Sequence, residues 1–119
     1  MNNKVNSFED LNVYQAARQF QLTIFKVTKE FPREEMFSLT DQVRRASRSI
    51  GSNIAEAWGK RKYPAHFLSK LSDADSEQQE TRHWLHTAFD CEYLTQEQEN
   101  QLLDQLKTIG AQLGKMMQN

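Results

Sequence analysis

One cysteine, two prolines and four glycines are all that 119 residues contain of those types. The lone thiol, Cys91, cannot close an internal disulfide, so a reducing, cytoplasmic setting is expected. So few prolines and glycines leave too little turn chemistry for an all-β chain. No apolar run approaches the roughly 18 residues of a membrane span, so no membrane partner is expected. The opening MNNKVNSFED has no apolar stretch of the signal-peptide kind. Glycine-rich phosphate loops, G-x-S-x-G and paired cysteine motifs are also missing, and no cofactor is implied.

What the chain does hold favours helix. It is 38% apolar and 26% charged, rich in glutamine, glutamate, leucine, alanine and lysine. The length suits one domain, 1–119, around one core. The net charge of −1 conceals an asymmetry. Residues 1–70 carry 12 Lys or Arg against 7 Asp or Glu, and residues 71–119 carry 3 against 9. The first part is expected to attract phosphate, and the second the first part of another copy.

Apolar periodicity predicts four helices, near 8–30, 38–59, 64–91 and 95–116. The first carries Val13, Ala17, Phe20, Ile24, Val27 and Phe31, widened by Leu11, Tyr14, Leu22 and Phe25, with Ser7 and Asp10 as a capping box. The second carries Leu39, Val43, Ala46, Ile50, Ile54 and Ala57, with Ser38 and Asp41 as its box. The third opens at Pro64, where a missing N–H costs nothing, and carries Phe67, Leu71, Ala74, Gln78, Thr81, Leu85 and Ala88. The fourth carries Leu102, Leu106, Ile109, Leu113 and Met116 after a Thr95/Gln98 box; Gly110 and Gly114 mark a close contact or a fraying end, and MMQN is expected to fray. Short joints make this an all-α, antiparallel up-down-up-down four-helix bundle.

The stretch QVRRASRSIGSNIAEAWGKRK, residues 42–62, sharpens the functional question. Seven of its 21 residues are charged, and six of those are Lys or Arg. On a helical wheel Arg44, Arg45 and Arg48 fall opposite the apolar stripe. Arg45, Ser49, Ser52 and Glu56 form a polar line on one margin; Ser47, Gly51 and Ala55 form a line of small residues on the other. The plain reading is a solvated face. A sharper one is docking against a second subunit along the small line, with carboxylates such as Glu77 and Glu80, flanking Trp84, meeting the arginines. Contacts between such unlike patches close into rings when the rotation permits. The third reading is nucleic acid: Arg44, Arg48, Lys60, Arg61 and Lys62 on phosphates, with Tyr63 stacking a base.

Enzymatic readings rest on less. Glu80 and His83 form one E-x-x-H, with His86 three residues on. Di-iron bundles need that spacing twice, facing inward, with further carboxylates. Here the wheel turns His83, His86 and Asp90 away from the stripe. They are read as solvent-face groups, the His83–His86 pair being open to adventitious metal only. Cys91 is expected to be a half-buried structural thiol. A small metal-binding or catalytic helical bundle is thus the competing reading, and a non-catalytic interaction protein the preferred one.

QVRRASRSIGSNIAEAWGKRKYPAHF and KLSDADSEQQETRHWLHTAFDCEYL, with FEDLNVYQAA and FPREEMFSLTDQ, cover nearly the whole chain. In that order they resemble the four-helix-bundle family first noticed in open reading frames inside intervening sequences of 23S ribosomal RNA genes. One departure is NIAEA where many members read NIAEG, with Gly59 two residues past that alanine. The resemblance implies no established enzymatic activity. Members are similar to the accessory variability protein of diversity-generating retroelements, a barrel-like homopentamer with a basic surface that binds nucleic acid and the reverse transcriptase. A homopentamer, with RNA or DNA as a candidate partner, is therefore what the resemblance implies here. It also implies that Arg45, Ser49, Asn53, Ala55, Glu56, Glu80 and Trp84 are structural or interfacial positions.

Overall fold

The computed structural model describes residues 4–118. A 3-10 turn at Phe8–Asp10 precedes α1 (Asn12–Thr28), and a second at Arg33–Glu35 leads into α2 (Leu39–Gly59). Then come α3 (Pro64–Asp90) and α4 (Gln96–Gln118). Consecutive helices are neighbours and α4 closes back on α1, giving the up-down bundle that short joints require. Of the termini, residues 1–3 and Asn119 lie outside the described residues; Met116 to Gln118 continue α4 rather than fray.

Each seam buries the residues its spacing selects, save Val27, Phe67 and Met116, which are partly buried at the core's edge. Ile24, Ile50, Ile54, Leu71, Leu106 and Leu113 are fully inaccessible, and one core joins all four helices. The α3 seam includes two polar members, Gln78 and Thr81, both buried. Each finds a partner locally, as buried polar groups must. Thr81 Oγ1 donates to the Glu77 carbonyl at 2.8 Å, and Gln78 Nε2 donates to Asp75 Oδ1 at 3.1 Å. Gln78 also explains one glycine of α4: a Cβ on Gly110 would stand 3.1 Å from Gln78 Nε2, whereas one on Gly114 would meet nothing.

Helix starts depart from expectation at two of four places. The Ser7/Asp10 box forms, but it caps the 3-10 turn. Leu11 then takes extended backbone, and α1 begins at Asn12 rather than Phe8. At α2, Ser38 makes no side-chain cap. Its hydroxyl instead donates to Glu35 Oε1 at 2.6 Å, and the same oxygen accepts the Leu39 N–H at 3.3 Å. Glu35 thus does from upstream what Ser38 and Asp41 were expected to do. Pro64 occupies the first turn of α3, and the Thr95/Gln98 box is reciprocal, at 2.9 and 3.1 Å.

The line of small residues on α2 faces inward. Ser47 is buried, and a Cβ on Gly51 would lie 3.7 Å from Tyr14 Cε1 and 3.9 Å from the Ala17 Cβ. Small side chains there let α1 approach α2 within one chain, so the expected intersubunit role of that line is corrected. Cys91, expected half-buried, is exposed because it follows the last residue of α3.

The end of α3 is a Schellman turn: the Tyr93 N–H reaches the Ala88 carbonyl at 2.9 Å and the Glu92 N–H reaches Phe89 at 2.9 Å. Glu92 takes the left-handed conformation, φ 67°, that glycine normally fills. Glu92→Gly is therefore expected to raise unfolding stability by about 1 kcal/mol in urea titration. By contrast, Ile54→Ala should cost about 2–5 kcal/mol in the same titration, through the cavity it leaves.

Candidate functional site

Burial of the α2 seam sends the polar residues of that helix out along two flanks. The flank toward α3 carries Arg45, Ser49, Asn53 and Glu56. Because α3 runs antiparallel, these residues meet Glu77, Asp73 and Lys70 of the same chain. Lys70 Nζ lies 3.7 Å from Glu56 Oε1 and 3.9 Å from Asp73 Oδ2. Arg45 pairs loosely with Asp41 at 3.9 Å, its side chain 72% exposed. Asn53 Nδ2 donates to the Ser49 carbonyl at 2.9 Å. Further along α3, Trp84 Nε1 donates to Glu80 Oε2 at 3.1 Å, and the His83 ring packs edge-on against Trp84 at 4.8 Å.

This ribbon is acidic. Asp41, Glu56, Asp73, Glu77 and Glu80 outnumber Arg45 and Lys70 on it. Partial burial pushes the Glu77 carboxyl above its usual range, and the Glu80 charge adds to the effect. The Ser49 hydroxyl and the Arg45 guanidinium oppose it. A cation supplied from outside would relieve the crowding of Glu77 and Glu80.

The other flank of α2, toward α1, is basic and aromatic. Arg44 Nε donates to Thr28 Oγ1 at 2.8 Å. Lys29, Arg44 and Arg48 surround the Phe25 ring, their charged centres 4.7, 4.9 and 6.0 Å from its centroid. Beside them runs a groove of about 600 Å³, lined by Arg18, Leu22, Phe25, Arg48 and glutamines of α1, with no carboxylate in its lining. Leu22 is 44% exposed. Leu22 and Phe25, expected to widen the α1 seam, instead form this groove, because they sit beside the seam rather than on it.

The six residues singled out for nucleic acid do not come together. Arg44 and Arg48 belong to the basic flank. Lys60, Arg61, Lys62 and Tyr63 lie roughly 20 Å away, at the far end of α2. There Arg61 stacks over Trp58 at 4.5 Å and donates to its carbonyl at 3.0 Å, while Lys60, Lys62 and Tyr63 are exposed.

The candidate metal residues also diverge. Glu80 holds Trp84, and His86 Nδ1 lies 3.1 Å from Oε2 of the buried Glu99 on α4. No group of three His, Cys, Asp or Glu side chains converges among the described residues. No described helix is long and apolar enough to cross a membrane.

Sequence reasoning missed one feature entirely, a clasp between two loops. Tyr93, in the α3–α4 connection, donates its hydroxyl to Glu35 Oε2 at 2.9 Å and rests its ring on Phe31, 5.5 Å between centroids. Bonds from Ser38 and Tyr93 hold the Glu35 carboxyl below its usual range, and the Glu35 bond pushes the Tyr93 hydroxyl up to about 12. The clasp fixes the α1–α2 loop, on which Phe37 is 94% exposed.

A family model described as 23S rRNA-intervening sequence protein matches residues 9–115. The fold is similar to the crystal structure of a protein with unknown function from the S23 ribosomal protein family of Bacteroides thetaiotaomicron. The similarity has a TM-score of 0.82 at 30% identity and covers 90% of this chain and 96% of that one. No curated protein matches this sequence.

The clasp makes a pH-dependent prediction. The Tyr93 hydroxyl titrates higher when folded than its unfolded value near 10, so its contribution is intact below about pH 10 and lost as pH rises through about 12. The lowered Glu35 contributes above the unfolded carboxylate value of about 4.3 and loses its share as pH falls through its folded value. Tyr93→Phe should lower the melting temperature at pH 7 and flatten the alkaline decline seen with the wild type. An unchanged alkaline limb would show that the clasp contributes nothing.

Proposed function

The chain belongs to the 23S rRNA-intervening sequence protein family, and on that premise we propose that it is a non-catalytic, homo-oligomeric interaction protein of the cytoplasm. It assembles as a closed ring, a pentamer, and carries RNA or DNA on its basic corners. One observation supports the assembly above others: α2 has unlike flanks, a basic one toward α1 and an acidic one toward α3. Unlike flanks favour a heterologous contact, each copy's acidic side on the next copy's basic side. In a four-cornered bundle these are neighbouring sides, facing about 90° apart. A contact that turns by such an angle at each step closes after about four or five copies.

In this ring Arg44 and Arg48 serve the subunit contact. Lys60, Lys62 and Tyr63, exposed at the helix end, are left to meet nucleic acid. Several copies of a weak basic corner on one ring act together through avidity. A non-catalytic role fits the candidate ligands being engaged apart from one another, Glu80 with Trp84 and His86 with Glu99.

Light scattering combined with RNA titration tests the proposal. The wild type is expected as a single particle of about five chains, binding single-stranded RNA with an affinity that falls as salt rises. Replacing Lys60, Arg61 and Lys62 by glutamine should abolish that binding and leave the particle mass unchanged. A monomer at every concentration overturns the assembly; affinity indifferent to salt overturns the phosphate contact.

A further inference from the structure

Lys60, Arg61, Lys62 and Tyr63 are consecutive, yet their side chains are engaged differently. Arg61 is taken by its own helix. Its Nη1 donates to the Trp58 carbonyl at 3.0 Å, its backbone N–H reaches the same oxygen at 3.2 Å, and its guanidinium lies over the Trp58 ring at 4.5 Å. A cation placed there satisfies a carbonyl that the end of α2 leaves without a partner further along the helix. Lys60 and Lys62 are exposed and make no ion pair among the described residues. From Ala57 to Ser72 the chain has no Asp or Glu.

Tyr63 is 63% exposed, but its backbone is fixed on both sides. Its N–H donates to the Lys60 carbonyl at 2.9 Å, and its own carbonyl accepts the Phe67 N–H at 2.9 Å. Pro64, next in the chain, restricts it to extended backbone, φ −117° and ψ 92°. The ring meets one other ring among the described residues, His66, with 6.1 Å between centroids and 83° between planes. Rings set edge to face leave at least one face of Tyr63 uncovered by that neighbour. An aromatic face on an ordered backbone lowers the ordering cost of binding a flat group, and the lysines beside it select an anionic one.

We infer that this corner takes an unpaired base: one base of a single strand lies on the open face of Tyr63, and the phosphates flanking it meet Lys60 and Lys62. The inference rests on the nucleic-acid reading proposed above and narrows it to single-stranded RNA or DNA. A base inside a duplex has both faces covered by its neighbours, so it reaches the lysines through its phosphates but not Tyr63. Stacking accepts any base, and the corner therefore binds without sequence preference. Arg61 is a positioning residue, whose bond to the Trp58 carbonyl closes the turn on which the other three stand.

Fluorescence anisotropy of the full chain with a labelled oligonucleotide of about 12 nucleotides, single-stranded or annealed to its complement, tests this. Tyr63→Leu should weaken single-strand binding at least about 5-fold and leave duplex affinity unchanged, while Tyr63→Phe keeps the wild-type values. Tyr63→Trp should show fluorescence quenching by the single strand beyond that of the wild type. Lys60→Gln with Lys62→Gln should flatten the slope of log affinity against log salt by about 1.4 per engaged copy, whereas Arg61→Gln should leave that slope unchanged. A Tyr63→Leu variant that holds the single strand like the wild type, or loses single strand and duplex equally, overturns this inference and leaves phosphate-driven binding at the corner standing. An Arg61→Gln slope as shallow as that of the lysine variant overturns the separate role of Arg61. A wild-type chain that binds neither nucleic acid overturns this inference and the nucleic-acid reading together.

Discussion

Burial of one stripe on α2, from Leu39 and Val43 through Ile50, Ile54 and Ala57, dictates the direction of every charge that helix carries. With that stripe held between α1 and α3, rotation of α2 by even part of a turn would bring arginine into the core. That would cost several kcal/mol per unpaired ion. The arginines therefore have only two ways out. Arg45 leaves toward α3, and Arg44 and Arg48 leave toward α1. The separation of these routes is a consequence of core packing, and it converts a locally mixed sequence into two distinct surfaces.

Those surfaces differ in chemistry as well as sign. Toward α3 the partners are carboxylates on the same chain, and the local balance is negative. Toward α1 the partners are the Phe25 ring and the Thr28 hydroxyl, which satisfy guanidinium groups without neutralising them. A chain whose net charge is −1 thereby exposes one uncompensated cationic side and one anionic side. The proposed ring draws on that imbalance; the few exposed ion pairs within the chain contribute little to its stability.

Much of this was legible in the sequence. The four seams came through because each is a long, regular pattern, and the Thr95/Gln98 box because it is local chemistry. The sequence offered Glu77 and Glu80 to the arginines of a second subunit, and it did not show that Glu77 already meets Ser49 and Arg45 of its own chain. What was not legible depended on a third partner. Ser38 lost its cap because Glu35, held by Tyr93 from a distant loop, offered Leu39 and Ser38 a better acceptor. The small residues Ser47 and Gly51 looked like an outward docking line because the wheel cannot say which neighbour, another helix or another chain, approaches. Leu22 and Phe25 were counted with the core because hydrophobicity does not distinguish a seam from its shoulder. Phe37 carried no signal at all, since its exposure is a property of the clasped loop.

The central claim is that the two flanks of α2 meet each other across copies. The structure of the assembled particle, imaged by electron microscopy at moderate ionic strength, tests it most directly. The account predicts one cyclic ring in which the α2/α3 side of each copy covers the α1/α2 groove of its neighbour. A particle whose copies meet through like faces across a two-fold axis, or through α4, would contradict it.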